Sequence, residues 1–348
     1  MRWAIIGAGG KDSLEFHLTD TLRHLGYEVN GFDLTFLGHR GFTVDYWLRR
    51  LSDSYDKAKA RKLASEVLKY EPDVVLATYR FVHPLTIELI KKSNSGIRVI
   101  HVNPDALINL EQQQVIASAY DFLFTKDPYM VRFLRQMAGL PAFYLPEAFN
   151  PRYHLAPAMN RMELEQKTDI DILVFGSMYP YRTRIIDQIA QYGFKVQLYG
   201  AEGPFFPERL RKYFSRQLIT EHIKSEKILG AKIVLNCFHY AEIEGVNCKY
   251  FEINGIGGFQ LCDYKPTLKE YSPVEPALYS YNSIKDAVEL LRMHLGNFEK
   301  RHEIGEMNRN HFLRYHTYEH RIENILETMG FNGTSGKVVA ATNEKVTN

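Results

Sequence analysis

The chain has 348 residues, 45% of them hydrophobic and 24% charged, which suits two ordinary hydrophobic cores rather than one. A formal net charge of +2 gives no argument for DNA or RNA as a partner, so nucleic acid is not expected. Three cysteines (Cys237, Cys248 and Cys262) lack C-x-x-C spacing, so neither a disulfide framework nor a metal cluster is expected, and a reducing cytoplasm is the default compartment.

The N-terminus has a short apolar run followed by glycines and charges, not the long apolar core of a signal peptide. No window reaches about 18 uninterrupted apolar residues, so no transmembrane helix is expected. Apolar runs at 3–8, 28–34, 73–78, 98–102, 121–125 and 142–145 read as strands. Between them lie helical stretches. One is capped by Asp12 or Ser13 and runs to about Leu25, ending at Gly26. Another spans 54–70, with Pro72 as its stop signal. Pro84 and Pro128 open two more as first-turn prolines. This alternation predicts parallel sheets with helices on both faces.

The loop after the first strand holds Gly7, Gly9 and Gly10. Gly7 and Gly9, with Asp33 after the second strand, invite a dinucleotide-binding reading, yet Asp12 stands where that fingerprint needs its third glycine. Gly9 and Gly10 can instead let the backbone approach a phosphate or sugar across a cleft, or can serve only a tight turn. His83 and His101 each follow or end an apolar strand and are candidates to reach a cleft; a structural histidine is the competing reading for both.

Residues 150–168 are polar, contain Pro151 and Pro157 and show no clear period, so they read as an interdomain connection. Strands then follow at 171–175, 195–199, 232–238, 258–263 and 277–281. They alternate with helices at 180–192, 207–216, 221–229, 247–254 and 283–295. Residues 299–329 look helical with a break near His316, and 332–348 are small, polar and expected to be disordered. The expected organisation is an α/β chain of two Rossmann-like, doubly wound parallel-sheet domains facing a cleft. The first covers 1–155, on the acceptor side, and the second 169–315, on the donor side. A helix at 316–330 packs back on the first, and a tail occupies 331–348. The basic run from Arg209 to Arg216 leaves peripheral membrane contact open, although a solvated helix face is the simpler reading.

Ligands of doubly wound sheets sit beyond the carboxyl ends of the strands. Three such ends carry candidate chemistry. Gly176 and Ser177 follow one strand, and Arg182 lies in the helix after it, where its guanidinium can grip a diphosphate. Tyr199 and Gly200 close the next strand. The third segment runs from Glu244 to Cys262. Here Gly245, Val246 and Asn247 open a helix whose first amides suit a phosphate, and Lys249 offers a point charge. Glu252 lies within the helix, where an acid can hold ribose hydroxyls. Glu244 precedes it by eight residues and projects in a similar direction if both are helical. The competing reading makes these acids and Lys249 ordinary surface charges.

Six segments together resemble the CgeB-type (spore-maturation-protein-like) glycosyltransferases of the retaining GT-B group. They are 120–127 (YDFLFTKD), 145–148 (LPEA), 171–177 with Arg182, 245–252 (GVNCKYFE), 257–263 (GGFQLCD) and 316–321 (HTYEHR). The likeness covers about 115–328; before that only the architecture matches. It implies a GT-B fold with Glu252 on the donor ribose, Glu244 near the donor sugar, and Gly245–Asn247 amides facing sugar and diphosphate. Arg182 and Lys249 would neutralise the phosphates, although the family usually has arginine at the latter position. His101 is the candidate for the histidine that related enzymes place against the donor sugar. A nucleoside-diphosphate sugar is the implied co-substrate, a UDP-sugar first and a GDP- or dTDP-sugar otherwise, with no tightly bound cofactor. The acceptor stays open among glycan, protein, lipid-linked and small-molecule classes and modified nucleic acid, the last disfavoured by the near-neutral charge. A GT-B-fold sugar-nucleotide epimerase, a non-catalytic nucleotide-sugar binder and an NAD dehydrogenase are the alternative functions.

Overall fold

The computed structural model describes residues 1–33, 42–110, 113–157 and 159–331; the expectation for 332–348 and the end of the strand expected at 28–34 lie outside them. The first lobe comprises β1 (Arg2–Gly7), α1 (Leu14–His24), β2 (Glu28–Asp33), α2 (Phe42–Leu51), α3 (Asp53–Lys69), β3 (Val74–Ala77), α4 (Pro84–Ser93), β4 (Arg98–Asn103), α5 (Gln114–Ala117), β5 (Phe122–Thr125), α6 (Pro128–Ala138) and β6 (Ala142–Tyr144). Ser13 is the cap of α1, its hydroxyl accepting the Phe16 N–H, while Asp12 stands just outside with φ +65°. Pro84 and Pro128 occupy the first turns of α4 and α6 as their fixed φ allows.

The second lobe comprises α7 (Arg161–Thr168), β7 (Ile170–Phe175), α8 (Pro180–Ala190), β8 (Val196–Tyr199), α9 (Glu221–Gly230), β9 (Ala231–Asn236), α10 (Cys248–Ile256), β10 (Gln260–Asp263), α11 (Leu268–Tyr271), β11 (Ser280–Tyr281), α12 (Ile284–Leu295) and α13 (Phe298–Tyr315), with α14 (Tyr318–Thr328) closing the described chain. The strand orders are β2-β1-β3-β4-β5-β6 and β11-β10-β9-β7-β8. Every pairing is parallel. Both lobes therefore repeat one winding, and each reverses direction beside its first strand. Crevices open at those reversals, between β1 and β3 and between β7 and β9. β3 is apolar on both faces, and β4 is buried on both beyond Arg98, because helices cover both sides.

Three expectations change. Residues 161–168, read as part of a connection, form α7. Its sequence shows no amphipathic period because buried ions hold it: Arg301 Nη2 donates to Glu165 at 2.7 Å, and Arg161 donates to the Gly257 carbonyl. Residues 207–216 form only a 3-10 turn at Glu208–Tyr213, in which Arg209 pairs with Asp187 and Arg211 with Glu202 and Glu208. The strand at 277–281 shrinks to Ser280–Tyr281.

The chain crosses between lobes twice, and the crossings pair: Phe149 N–H donates to the His316 carbonyl at 3.2 Å and Tyr318 N–H to the Phe149 carbonyl at 3.3 Å. Gly255 on α10 makes this possible, since a Cβ there would lie 2.4 Å from the Phe149 ring. Beyond the crossing, α14 lays Tyr318, Ile322, Ile325 and Leu326 on Trp3, Leu18 and Leu22 of the first lobe.

Candidate active site in the interlobe cleft

Two cations converge at the crevice of the second lobe. Arg182, in the first turn of α8, is 4% exposed, and its guanidinium donates to the carbonyls of Ser177 at 2.6 Å and Cys237 at 3.2 Å. Lys249, in the first turn of α10, donates to the Phe175 carbonyl at 3.2 Å. Gly176 lies under both: a Cβ there would sit 3.3 Å from Arg182 Nη1 and 3.3 Å from Lys249 Nζ, and its φ of +103° also suits glycine. Neither cation forms an ion pair among the described residues. Burial, with Arg182 adjacent, pushes the Lys249 ammonium down to about 7. Two neighbouring cations without a carboxylate make a seat for an anion. The α10 N-terminus adds its amides, although Asn247 caps one of them by accepting the Tyr250 N–H at 3.1 Å.

The neighbouring loops are built for close approach. Gly200, at φ +136°, would place a Cβ 2.0 Å from the Gly176 carbonyl oxygen, so the ends of β7 and β8 touch through glycines alone. Ser177 is exposed at this edge, whereas Tyr199 is 6% exposed with the Lys227 ammonium 5.7 Å over its ring. Val246 points into the core at 1% exposure, so only its backbone is available to a ligand.

Glu252 is buried at 6% exposure and accepts a hydrogen bond from Lys224 Nζ at 3.0 Å. Lys224 also donates to Asp12 on the first lobe, at 2.5 Å, so one ammonium joins the lobes. His17 and His154 reach Asp12 Oδ1 through Nε2 at 3.0 and 3.2 Å. Burial alone would raise the Asp12 carboxyl; hydrogen bonds from His154 and His17 and the charge of Lys224 overturn this and hold it far below the carboxylate range. Glu252 is held low in the same way, against burial, by Lys224 and His154.

Ligand-type atoms of Asp12, His17, His154 and Glu252 all lie within 4.8 Å of one another, the spacing of a metal site. The donor set does not suit one. Asn150 N–H points at His154 Nδ1 at 3.3 Å, and Asn150 Nδ2 lies 3.5 Å from His17 Nδ1. Both rings then carry their proton on Nε2, facing Asp12, and offer no lone pair inward. Lys224 already supplies the cation.

Glu244 does not share a helical face with Glu252, because α10 starts at Cys248 and Glu244 lies in the loop before it. The expected common direction therefore fails. Its carboxylate takes a two-pronged grip from Arg132 on α6, at 3.0 and 2.6 Å. Beside it, Asp127 Oδ2 accepts the N–H groups of Ile243 and Glu244 at 2.9 and 3.2 Å, and Lys126 pairs with buried Glu242 at 2.7 Å. Gly245 admits this contact, since a Cβ would lie 2.7 Å from the Lys126 carbonyl oxygen.

His101 is not at the cleft. It sits in β4 with 0% exposure, its ring 5.1 Å from Tyr120, and burial lowers it to about 3. No recorded contact joins it to Arg182, Lys249, Glu244 or Glu252. Gly9 and Gly10 are exposed in the loop after β1; the Gly9 N–H donates to Asp33 at 2.9 Å, so that acid braces the loop. The sequence pattern did not single out His17, Lys126, His154, Lys224 or Glu242 as members of the charged cluster. Lys126 directly follows β5, and the strand-end rule was a signal for it. His17 meets Asp12 from five residues away with no motif to mark the pair, and Lys224, His154 and Glu242 find their charged partners far away in the chain.

Residues 161–327 match the Glyco_trans_1_2 family, described as glycosyl transferase-like. No curated protein sequence matches the chain. Sucrose-phosphate synthase from Thermosynechococcus elongatus superposes with a TM-score of 0.68 at 11% identity, over 94% of this chain and 98% of that one. Anabaena Alr3699/HepE in complex with UDP and glucose gives 0.63 at 12% identity, over 94% and 99%. T4 phage BGT in complex with UDP and Mn2+ gives 0.55 at 12%, over 94% and 98%. The shared architecture is the GT-B fold, two parallel-sheet α/β lobes across a cleft. The neighbours establish the fold, and the family match over the second lobe agrees with a glycosyltransferase. No helix among the described residues is long and apolar enough to cross a membrane.

Proposed function

We propose that the chain moves a sugar from a nucleoside-diphosphate sugar, a UDP-sugar first, to an acceptor held in the cleft between the lobes. The reading rests on Arg182 and Lys249, two cations without a carboxylate, sharing Gly176 as their floor at the second lobe's crevice. That the neighbours include complexes with UDP agrees with it. Cleaving the anomeric C–O bond leaves negative charge on the departing diphosphate. Arg182, Lys249 and the α10 amides are preset where that charge develops, which favours the transition state over the ground state. Glu252 takes the ribose, and Lys224 and Asp12 orient it. Within the class, the reading follows the motif resemblance to the CgeB-type enzymes: transfer with retention of configuration, the two cations serving the leaving group without a metal.

Calorimetry with UDP, GDP, dTDP and ADP tests the donor site. At least one should bind, and UDP most tightly. With the donor so found, Arg182→Ala should lower turnover by roughly 100-fold, the scale of one lost transition-state donor. Binding of no nucleoside diphosphate by the folded protein would overturn the proposal.

A further inference from the structure

Aromatic side chains cluster at the rim of the cation pair, and no donor-side role uses them. Tyr179 lies under the Arg182 guanidinium at 4.6 Å, and its ring is 5.1 Å from that of His239. His239 in turn meets Tyr240 at 4.4 Å, and Tyr240 meets Tyr181 edge-on at 5.9 Å. The outer two are open to solvent: Tyr240 is 54% exposed and Tyr181 41%. Both lie at carboxyl-terminal strand edges, in the loop after β9 and the first turn of α8. Two solvent-facing rings thus meet edge to face beside a charged site, where a flat apolar surface can stack on them.

Polar groups border the rings. His239 Nδ1 accepts the Ala241 N–H at 3.2 Å, so its proton sits on Nε2. Asp105 of the first lobe lies near enough to act on the His239 ring, and Arg80 holds that carboxylate at 2.9 Å. The surface thus offers apolar ring faces and one imidazole N–H, with the Arg80-paired carboxylate of Asp105 among the charges that act on that ring. Such a mixture suits a sugar ring, with apolar C–H faces for stacking and hydroxyls for His239 and Asp105. An apolar peptide would leave those polar groups unpaired.

We infer that Tyr181, His239 and Tyr240 form the acceptor subsite, and that the acceptor presents a sugar ring to it. This rests on the donor reading above, because an acceptor hydroxyl must reach the anomeric carbon beside the diphosphate. The acceptor hydroxyl oxygen forms the new bond to that carbon, the bond to the diphosphate oxygen breaks, and the hydroxyl proton leaves with the diphosphate or a cleft base.

Ligand-observed NMR on the full chain, with UDP present, tests it with methyl glycosides and short oligosaccharides of glucose, galactose and N-acetylglucosamine. At least one saccharide should receive saturation from the protein. Tyr240→Ala and Tyr181→Ala should each weaken that saccharide tenfold or more, while UDP affinity by calorimetry stays within twofold. Tyr240→Trp should retain saccharide binding, because a ring face remains. Failure of every saccharide to bind, binding indifferent to both alanine variants, or displacement of the saccharide by a short oligothymidylate with higher affinity would overturn the inference. Loss of UDP binding in the unaltered protein would instead overturn the donor reading, so the two failures are distinct.

Discussion

Glu252 shows how one carboxylate can serve both lobes. It is buried at 6% exposure, paired with Lys224, and through that lysine tied to Asp12. Glu252→Gln keeps the shape and removes the charge. It should weaken UDP binding about tenfold, the size of a lost hydrogen bond to a charged group, and should also lower thermal stability. Calorimetry with unchanged affinity in a folded variant would remove its ribose role. Lys249 makes a different prediction. In the free protein its ammonium is depressed to about 7 by burial and by Arg182. A bound diphosphate favours the charged form and so raises this value. Binding above pH 7 must then take up a proton, and affinity must fall as pH rises beyond about 7. UDP-glucose, whose diphosphate has no proton to exchange there, should show proton uptake at pH 8 and little at pH 6. Calorimetry in buffers of different ionisation heat reads this directly. Lys249→Arg should abolish the uptake and retain binding.

Among elements, the loops after β7 and β8 carry the tightest constraint. Gly200 combines φ +136° with a Cβ position 2.0 Å from the Gly176 carbonyl oxygen. Gly200→Ala must move one loop away from the other, so it should cost about 3 kcal/mol or more by urea unfolding. It should also weaken nucleotide binding, because Gly176 floors the cation pair. The sequence marked these glycines by their place after apolar strands, and they stand at the ends of β7 and β8. Helix boundaries followed from caps: Ser13, Pro84 and Pro128 stand where local chemistry puts them. α7 was not legible, because its order comes from Arg301 and the Gly257 carbonyl rather than from an apolar stripe. The Glu244–Glu252 spacing misled for a related reason. A spacing defines a face only inside one helix, and α10 begins four residues after Glu244.

On the scale of the molecule, α14 makes the lobes one structure. Its residues Ile322 and Ile325 are both 0% exposed, although the core they fill belongs to the first lobe. Ile325→Ala should cost about 2–5 kcal/mol, the usual range for emptying a buried aliphatic site. The loss should appear in denaturant unfolding followed by a first-lobe probe such as Trp3. A loss under 1 kcal/mol would mean that α14 does not carry the first lobe's stability. The same crossing pins the hinge, where Phe149 and Thr317 bridge and Gly255 admits the Phe149 ring.

The amino-acid order alone determined the alternation of strand and helix, two sheets of parallel strands, and the glycines and cations that follow strand ends. Those features rest on short-range physics: periodicity, capping and backbone freedom act within a few residues. Only the tertiary structure decided which charges are spent and which are open. Asp12 meets Lys224 from 212 residues away, and Lys126 meets Glu242 from 116. Arg132 claims Glu244, β4 buries His101, and Arg182 and Lys249 are left with carbonyls and ring faces and no ion pair among the described residues. Coulomb attraction depends on distance in space, and no local pattern records which distant side chains the two sheets bring face to face.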